Sequence, residues 1–398
     1  MIIHRLYLGT WLPRTAIHLK EVFNFLNSVE GVRGLNQKKL NELHKNLGVT
    51  NVIFSQELDL DSLEGVFTDG SFLFTEDGIL LLKSGRTNIT ALEEFNNLRD
   101  FLLNFSKTKL GPTLNYLFSL GAPIPRDLAE PKTVLPFIAI VSEAGEAGIK
   151  KIYDIIGERQ RSVISLPEIE IHRSLSLTVI YPKNQEIDFK KLDSLIQHDV
   201  FFREFEFQLE DYLLLHRKYW NEVAHIRESR VMKYKDFPAI RRQLLDIRQS
   251  FIYVQARLLQ MKDILDERVR TIVKEDANFL DELGLDRFAI LESAHAYIDH
   301  LWKMTSESLE GTMTIFQTLY EENTQRELAV IKVTTFATAL TGFFGMNIGF
   351  PWEERWSAVK SDSFVVALLV VFGSISFYFI LKQALLKRRF FIGRDKEL

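Results

Sequence analysis

The 398-residue chain has no cysteine. That single absence excludes disulfides, thiolate metal sites and cysteine nucleophiles, and it fits a reducing compartment. Proline and glycine are sparse, at 10 and 20 residues, while charged residues make up 26%. This is the composition of a folded, helix-rich chain rather than a disordered one. A strong charge of either sign is also missing. The formal net charge is −4 and no basic face is clustered, so no nucleic-acid partner is expected. The start, Met1-Ile2-Ile3-His4-Arg5-Leu6-Tyr7 followed by Thr10-Trp11-Leu12-Pro13-Arg14, lacks the basic-then-apolar order of a signal peptide. The bulk of the chain is therefore expected to stay where it is made.

Catalytic signatures are equally scarce. There is no HExxH pair, no P-loop and no Ser-His-Asp cue, and the nine histidines show no metal-ligand spacing. Gly145-Glu146-Ala147-Gly148 follows an apolar run and opens a helical one. It lacks both the Lys-Ser/Thr of a phosphate loop and the third glycine of a dinucleotide turn, and reads as a connecting turn. Neither an enzyme nor a resident cofactor is expected.

What the chain does have lies near its C-terminus. Leu328–Phe344 is apolar or small apart from Lys332 and its threonines, and Phe364–Leu381 is a second apolar run. A helix crossing about 30 Å of hydrocarbon needs roughly 17–25 residues, so each run fits, and the linker Gly345–Ser363 is too short for a domain. The two runs read as a transmembrane hairpin. Lys382, Lys387, Arg388 and Arg389 follow the second run, and Arg326 and Lys332 sit at the start of the first. The positive-inside rule then puts both termini in the cytoplasm and the linker outside, in a multi-pass protein of the plasma (inner) membrane.

Upstream, the first 200 residues read as α/β. Val52–Ser55, Ser71–Phe74, Ile79–Leu82, Leu135–Ser142 and Leu175–Tyr181 are short β-type runs, and Thr75-Glu76-Asp77-Gly78 carries a hairpin signal. Ala16–Ser28 (with Thr15 as its cap), Gln37–Leu47, Ala91–Leu103 and Gly148–Ile156 are helical, which suggests a central sheet flanked by helices. From about Phe201 the pattern changes to long helices over Phe205–Arg227 and Ala239–Val269. Gly284 breaks the pattern, Asp286 is a plausible cap, and a last helix runs from about Arg287 into the first apolar run. That helix would be about 85 Å long, too long for a monomer to bury, so copies of the chain are expected to pack together.

At Gly345-Met346-Asn347, which closes the first run, the chain resembles the CorA superfamily of divalent-cation channels, whose members include magnesium channels and ZntB-like zinc transporters. Arg257-Leu258-Leu259 with Met261-Lys262-Asp263-Ile264-Leu265 resembles the family's arginine-leucine helix. Tyr297-Ile298-Asp299-His300-Leu301 resembles its Tyr-Asp-His segment, and Gln325–Phe344 occupies the place of its pore helix. The convincing likeness covers Pro238 to Leu386. The fold implied is an α/β cytoplasmic domain over 1–200, a long-helix bundle and stalk over 201–327, transmembrane helices over 328–344 and 364–381 joined by an external loop over 345–363, and a basic tail over 382–398. The assembly implied is a homopentamer in a lipid bilayer, passing divalent cations through a central pore. Gly345, Met346 and Asn347 would form its mouth, with Asn347 meeting the ion through hydrating water, since Mg²⁺ sheds water reluctantly. Gly342, Thr338, Thr335 or Thr334, Ile331, and Leu328 or Glu327 share one helical stripe by their spacing, and would line the pore. Glu353 and Glu354 would concentrate cations at the entrance.

The departures from the family are specific. The first run has no proline near Ala337. Lys332 and Glu327 stand where apolar or small residues are usual, and Lys332 is expected to snorkel to the inner surface. The loop after the tripeptide is Ile348-Gly349-Phe350-Pro351-Trp352-Glu353-Glu354, with some likeness to the zinc branch. Ala296 occupies the position of the family's gating aspartate, close to Glu292 and Asp299. The acids Asp263, Asp266, Glu267, Glu275, Asp276, Asp281 and Glu282 read as solvated helix faces paired with Arg268, Arg270 and Lys274. Mg²⁺ conduction is the leading expectation. A ZntB-like zinc transporter and a CorA-like scaffold with little transport are the alternatives.

Overall fold

Ile2–Trp11, strand β1, is the central strand of the large sheet in the computed structural model of the chain. The structure describes residues 2–12, 19–29, 34–56, 61–117, 137–142, 146–174, 176–183, 189–228, 232–233, 236–274, 277–347, 372–373, 376, 380 and 389–390. The chain divides into two compact units, residues 1–213 with 252–300, and residues 214–251 with 301–398.

The first unit is built on a ten-stranded sheet. Its other strands are β2 (Thr50–Ser55), β3 (Ser62–Phe67), β4 (Gly70–Thr75), β5 (Ile79–Ser84), β6 (Thr87–Asn88), β7 (Phe137–Ser142), β8 (Ser162–Ser165), β9 (Ile169–Arg173) and β10 (Leu177–Pro182). The order is β2-β3-β4-β5-β1-β7-β10-β9-β8, with β6 alongside β1. All pairings are antiparallel except β7 with β10, which run parallel in the register Leu177↔Ile138. A parallel pair needs a crossover connection, and α5 (Glu146–Ile156) lies on that connection.

The sheet is covered on both faces. Helices α1 (Leu19–Ser28), α2 (Gln37–Leu47), α3 (Leu92–Asn104), a π-helical turn at Phe105–Leu110, α4 (Gly111–Leu117) and α5 share one apolar core with the sheet. Phe25, Leu40, Phe95 and Ile152 meet Leu8, Leu82 and Ile140 there. The sequence delimits α2 sharply: Asn36 Oδ1 accepts from Lys38 N at 2.9 Å, and Gly48 closes the helix in the left-handed region at φ 61°. On the opposite face lies α6 (Phe189–Glu228). Trp11 packs on Phe201 and Phe205, with ring centroids 5.4 and 5.5 Å apart. Gly9 makes this approach possible, because a Cβ there would stand 2.4 Å from Val200 Cγ2. With both faces buried, β1 shows no polar–apolar alternation.

Helix α7 (Phe237–Lys274) is tied to the β4–β5 turn by a buried ion pair. Arg268 Nε donates to Asp77 Oδ2 at 2.5 Å, and its guanidinium lies 4.7 Å from the centroid of Phe201. This corrects the expected pairing of Arg268 with acids on its own helix face: the side chain is buried and serves the sheet instead. Beside it, His198 is pushed down to about 3 by burial and by Arg268, and so stays neutral. The last long helix, α8, runs from Ala277 to Asn347 without a break at Gly284. The expected start near Arg287 is therefore too late. A single interior glycine costs about 1 kcal/mol, which the strong helix formers around it outweigh. Likewise α6 begins at Phe189, before the expected change of character at about 201.

The second unit has an aromatic core of its own. Trp302 meets Phe251 at 4.8 Å and Tyr219 at 6.2 Å between centroids, and Phe237 meets Phe316 at 5.5 Å. His216 Nε2 is 2.7 Å from Thr305 Oγ1. The turn between α6 and α7 holds β11 (Met232–Lys233), which pairs antiparallel with β12 (Arg389–Phe390) in the register Met232↔Phe390. Thr15, residues 16–18, Leu135, Pro136, Leu175 and most of the run 364–381 lie outside the described residues.

Candidate ion pathway on the last long helix

Leu328, Ile331, Thr335, Thr338 and Gly342 all lie on α8 and all are exposed. Their separations of three, four, three and four residues place them on one stripe. Thr338 on the stripe and Thr334 beside it have internal partners for their hydroxyls. Thr334 Oγ1 donates to Val330 O at 2.9 Å and Thr338 Oγ1 to Thr334 O at 2.8 Å. These back-bonds satisfy the donor hydrogens while leaving oxygen lone pairs toward the outside of the helix.

Gly345, Met346 and Asn347 form the C-terminal end of α8, and their side chains lie outside the described residues. So do Glu353 and Glu354. Lys332 is exposed, and Glu327 accepts from Asn323 Nδ2 at 3.2 Å. Among the described residues no helix is long and apolar enough to cross a membrane; most of the second apolar run lies outside the described residues.

Two segments that carried the resemblance upstream of the first apolar run meet each other. On α7, Leu258 is fully buried, and its carbonyl oxygen lies 2.7 Å from His295 Nε2 of α8. Arg257 turns back along its own helix to Tyr253 and Gln260. Of the Tyr297–Leu301 segment, Ile298 is buried, whereas Tyr297 and His300 are exposed, as is Ala296 just before it. No cluster of three His, Asp or Glu side chains among the described residues is arranged to hold a metal ion. Of the predicted helix-face acids, Asp263 and Glu267 are exposed, while the side chains of Glu275, Asp276, Asp281 and Glu282 are not described.

Sequence reasoning missed the buried acid Glu204, on α6 behind β1. Burial raises its carboxyl to about 7, against the lowering effect of the Trp11 backbone and the Thr10 hydroxyl. A Glu among Phe201, Phe202 and Phe205 was the available signal, since charged groups are rarely placed on a fully buried stretch.

The fold these features define is an N-terminal α/β domain followed by long helices. The family model for the CorA-like Mg²⁺ transporter protein matches residues 173–388, more than half of the chain. The chain therefore belongs to the CorA-like Mg²⁺ transporter family, a family of transporters rather than enzymes. A solved structure described as the complete structure of the CorA magnesium transporter from Methanocaldococcus jannaschii is 13% identical, with 64% of this chain and 92% of that one covered and a TM-score of 0.28. No curated protein matches.

Proposed function

We propose that the chain forms a homopentameric channel for divalent cations in the plasma membrane, with hydrated Mg²⁺ as its ion. The observation that carries this reading is α8 itself. One uninterrupted helix of 71 residues leads from the first unit to Gly345-Met346-Asn347, and presents five exposed residues in a single stripe on the way. Five such stripes around an axis would give a tube with threonine oxygens at Thr335 and Thr338. Ile331 and Leu328 would form an apolar constriction below them, and the Asn347 amides would meet a hydrated ion at the mouth. The division proposed is an α/β domain over 1–200, bundle and stalk over 201–327, spans over 328–344 and 364–381, the external loop between them with Glu353 and Glu354, and the basic tail over 382–398.

The pairing of β11 with β12 supports a hairpin. Phe237, at the base of α7, packs on Phe316 of α8, which is about 18 Å along the helix from Leu328. Eight residues of chain after Leu381 reach up to about 28 Å, enough to return Arg389 to Met232 if the second run ends level with the start of the first. The pair of runs then begins and ends on the cytoplasmic side, with the linker outside, as the basic flanks require.

The test is ion flux into liposomes holding the purified full-length protein, with Mg²⁺, Zn²⁺, Co²⁺ and Ni²⁺ compared. Mg²⁺ flux is expected, falling at least about tenfold (about 1.4 kcal/mol) in Asn347→Ala. Absence of flux for all four ions, or flux unchanged in the variant, overturns the channel. Zn²⁺ flux without Mg²⁺ flux selects the zinc reading. Lys332→Gln is expected to leave flux unchanged, because the lysine reaches back toward the inner surface.

A further inference from the structure

The two units differ sharply in charge. The second unit holds 20 lysines and arginines against 14 acids, a net of +6, whereas the first holds 29 against 39, a net of −10. The excess in the second unit comes from two stretches. Residues 227–236, from the last turn of α6 to the start of α7, carry Arg227, Arg230, Lys233 and Lys235 against Glu228 and Asp236, a net of +2. The tail 382–398 has six basic residues against two acids, a net of +4. Every other charge in the unit cancels, the acids of α8 included.

Strands β11 and β12 join these two stretches. Their antiparallel register sets Met232 opposite Phe390 and Lys233 opposite Arg389. Like charges directly opposite each other destabilise a ladder, and an isolated two-stranded ribbon is marginal even when longer than this one. The unit has no surplus acid to offset the pair, so counter-charge has to come from outside it. We infer that the bilayer supplies it: the ribbon seats on the anionic phospholipid headgroups of the cytoplasmic leaflet.

This inference rests on the membrane hairpin of the proposed function. The basic tail starts at Lys382, directly after the second apolar run, and Arg389 lies within about 28 Å of chain from Leu381. An anionic leaflet attracts each Lys or Arg near its surface by about fivefold in affinity, the equivalent of about 1 kcal/mol. The attraction fades within a Debye length, about 8 Å at physiological salt, so it favours a basic ribbon held at the end of the run over charge spread along the chain.

The test is thermal unfolding of the full-length protein in neutral detergent at increasing phosphatidylglycerol, with phosphatidylcholine and glycerol 3-phosphate as controls. A saturable rise in unfolding temperature is expected with phosphatidylglycerol alone, shrinking at higher salt. Lys233→Glu separates a lipid role from a structural one. It turns the opposed cations into a pair of opposite charges, which favours the ladder, while lowering the local charge by two. It should keep its unfolding temperature in neutral detergent, yet need about 25-fold more phosphatidylglycerol for half the rise. An unchanged lipid response in Lys233→Glu overturns the proposal, as does an equal response to phosphatidylcholine or to glycerol 3-phosphate. Absence of any response also overturns it and assigns the counter-charge to the acidic first unit. Should Lys233→Glu fail to fold, Arg389→Gln decides, with an expected shift of about fivefold. Flux is measured separately on the same protein. Conduction without a lipid response refutes this inference alone, and a lipid response without conduction refutes the channel alone.

Discussion

Glu204 shows how much one buried carboxyl can alter the chain's response to pH. Its neighbours on α6 are aromatic, and burial raises it from the ordinary carboxylate range to about 7. An acid whose folded-state value lies above its unfolded value stabilises the fold fully at low pH. That contribution is lost as pH rises from the unfolded value, about 4.5, through the folded value near 7. Glu204→Gln removes the titration while keeping the shape. Thermal unfolding in detergent from pH 5 to 8 should show the parent losing stability relative to Glu204→Gln by on the order of 2 to 3 kcal/mol over that window. Parallel curves for the two proteins would show that Glu204 ionises freely at neutral pH. His198 stays neutral in the folded protein throughout this range but takes up a proton on unfolding below its ordinary value, so it adds a slope of the opposite sign that is common to both proteins and cancels in the comparison.

At the scale of the element, α7 is fastened to the sheet through a buried ion pair. Arg268 pairs with Asp77, Asp77 also accepts from the Thr75 hydroxyl at 2.5 Å, and the Trp11 indole N–H donates to the Asp77 carbonyl at 2.8 Å. The turn closes at Gly78, at φ +95°, where a Cβ would sit 2.0 Å from Leu12 O. Arg268→Met keeps the bulk but strands a buried carboxylate, and should cost about 3–5 kcal/mol. Adding Asp77→Asn should restore a large part of that loss, which urea unfolding of the single and double variants would measure. The Asp-Gly signal made this hairpin legible in the sequence, and α2 was legible through its Asn36 and Gly48 caps. Strand β1 was not, because a strand buried on both faces has no alternation to read, and β3, β8 and β9 were too short or too polar to stand out. Arg268 looked like a surface residue because its partner is 191 positions away. Of the candidate pathway, the stripe on α8 follows from helical spacing alone, whereas the continuity of α8 through Gly284 had to come from the structure.

At the scale of the whole molecule, α8 leaves unpartnered surface that asks for further copies. Ile290, Tyr297 and Met304 are 64%, 59% and 46% exposed and are separated by seven residues each. Isolated apolar residues on a surface are ordinary, but a repeat of seven keeps them on one side of a helix, as in a helix–helix seam. On α7, Leu245, Ile252 and Leu259 repeat the same spacing and are also exposed. In the proposed assembly, two seams on neighbouring long helices would give each chain both halves of a head-to-tail contact, the kind of contact that closes into a ring. Introducing charge at the centre of one seam, as Ile290→Glu with Tyr297→Glu, should shift the detergent-solubilised protein from the proposed pentamer to smaller species, read by light scattering or mass photometry. Flux should fall with it, because the tube proposed around Thr335 and Thr338 exists only between copies. Two exposed positions should cost the isolated chain little stability, typically within about 0.5 kcal/mol each. A variant that keeps its unfolding temperature while losing both assembly and flux would tie transport to the shared pore. One that stays pentameric would locate the assembly contact elsewhere on the chain.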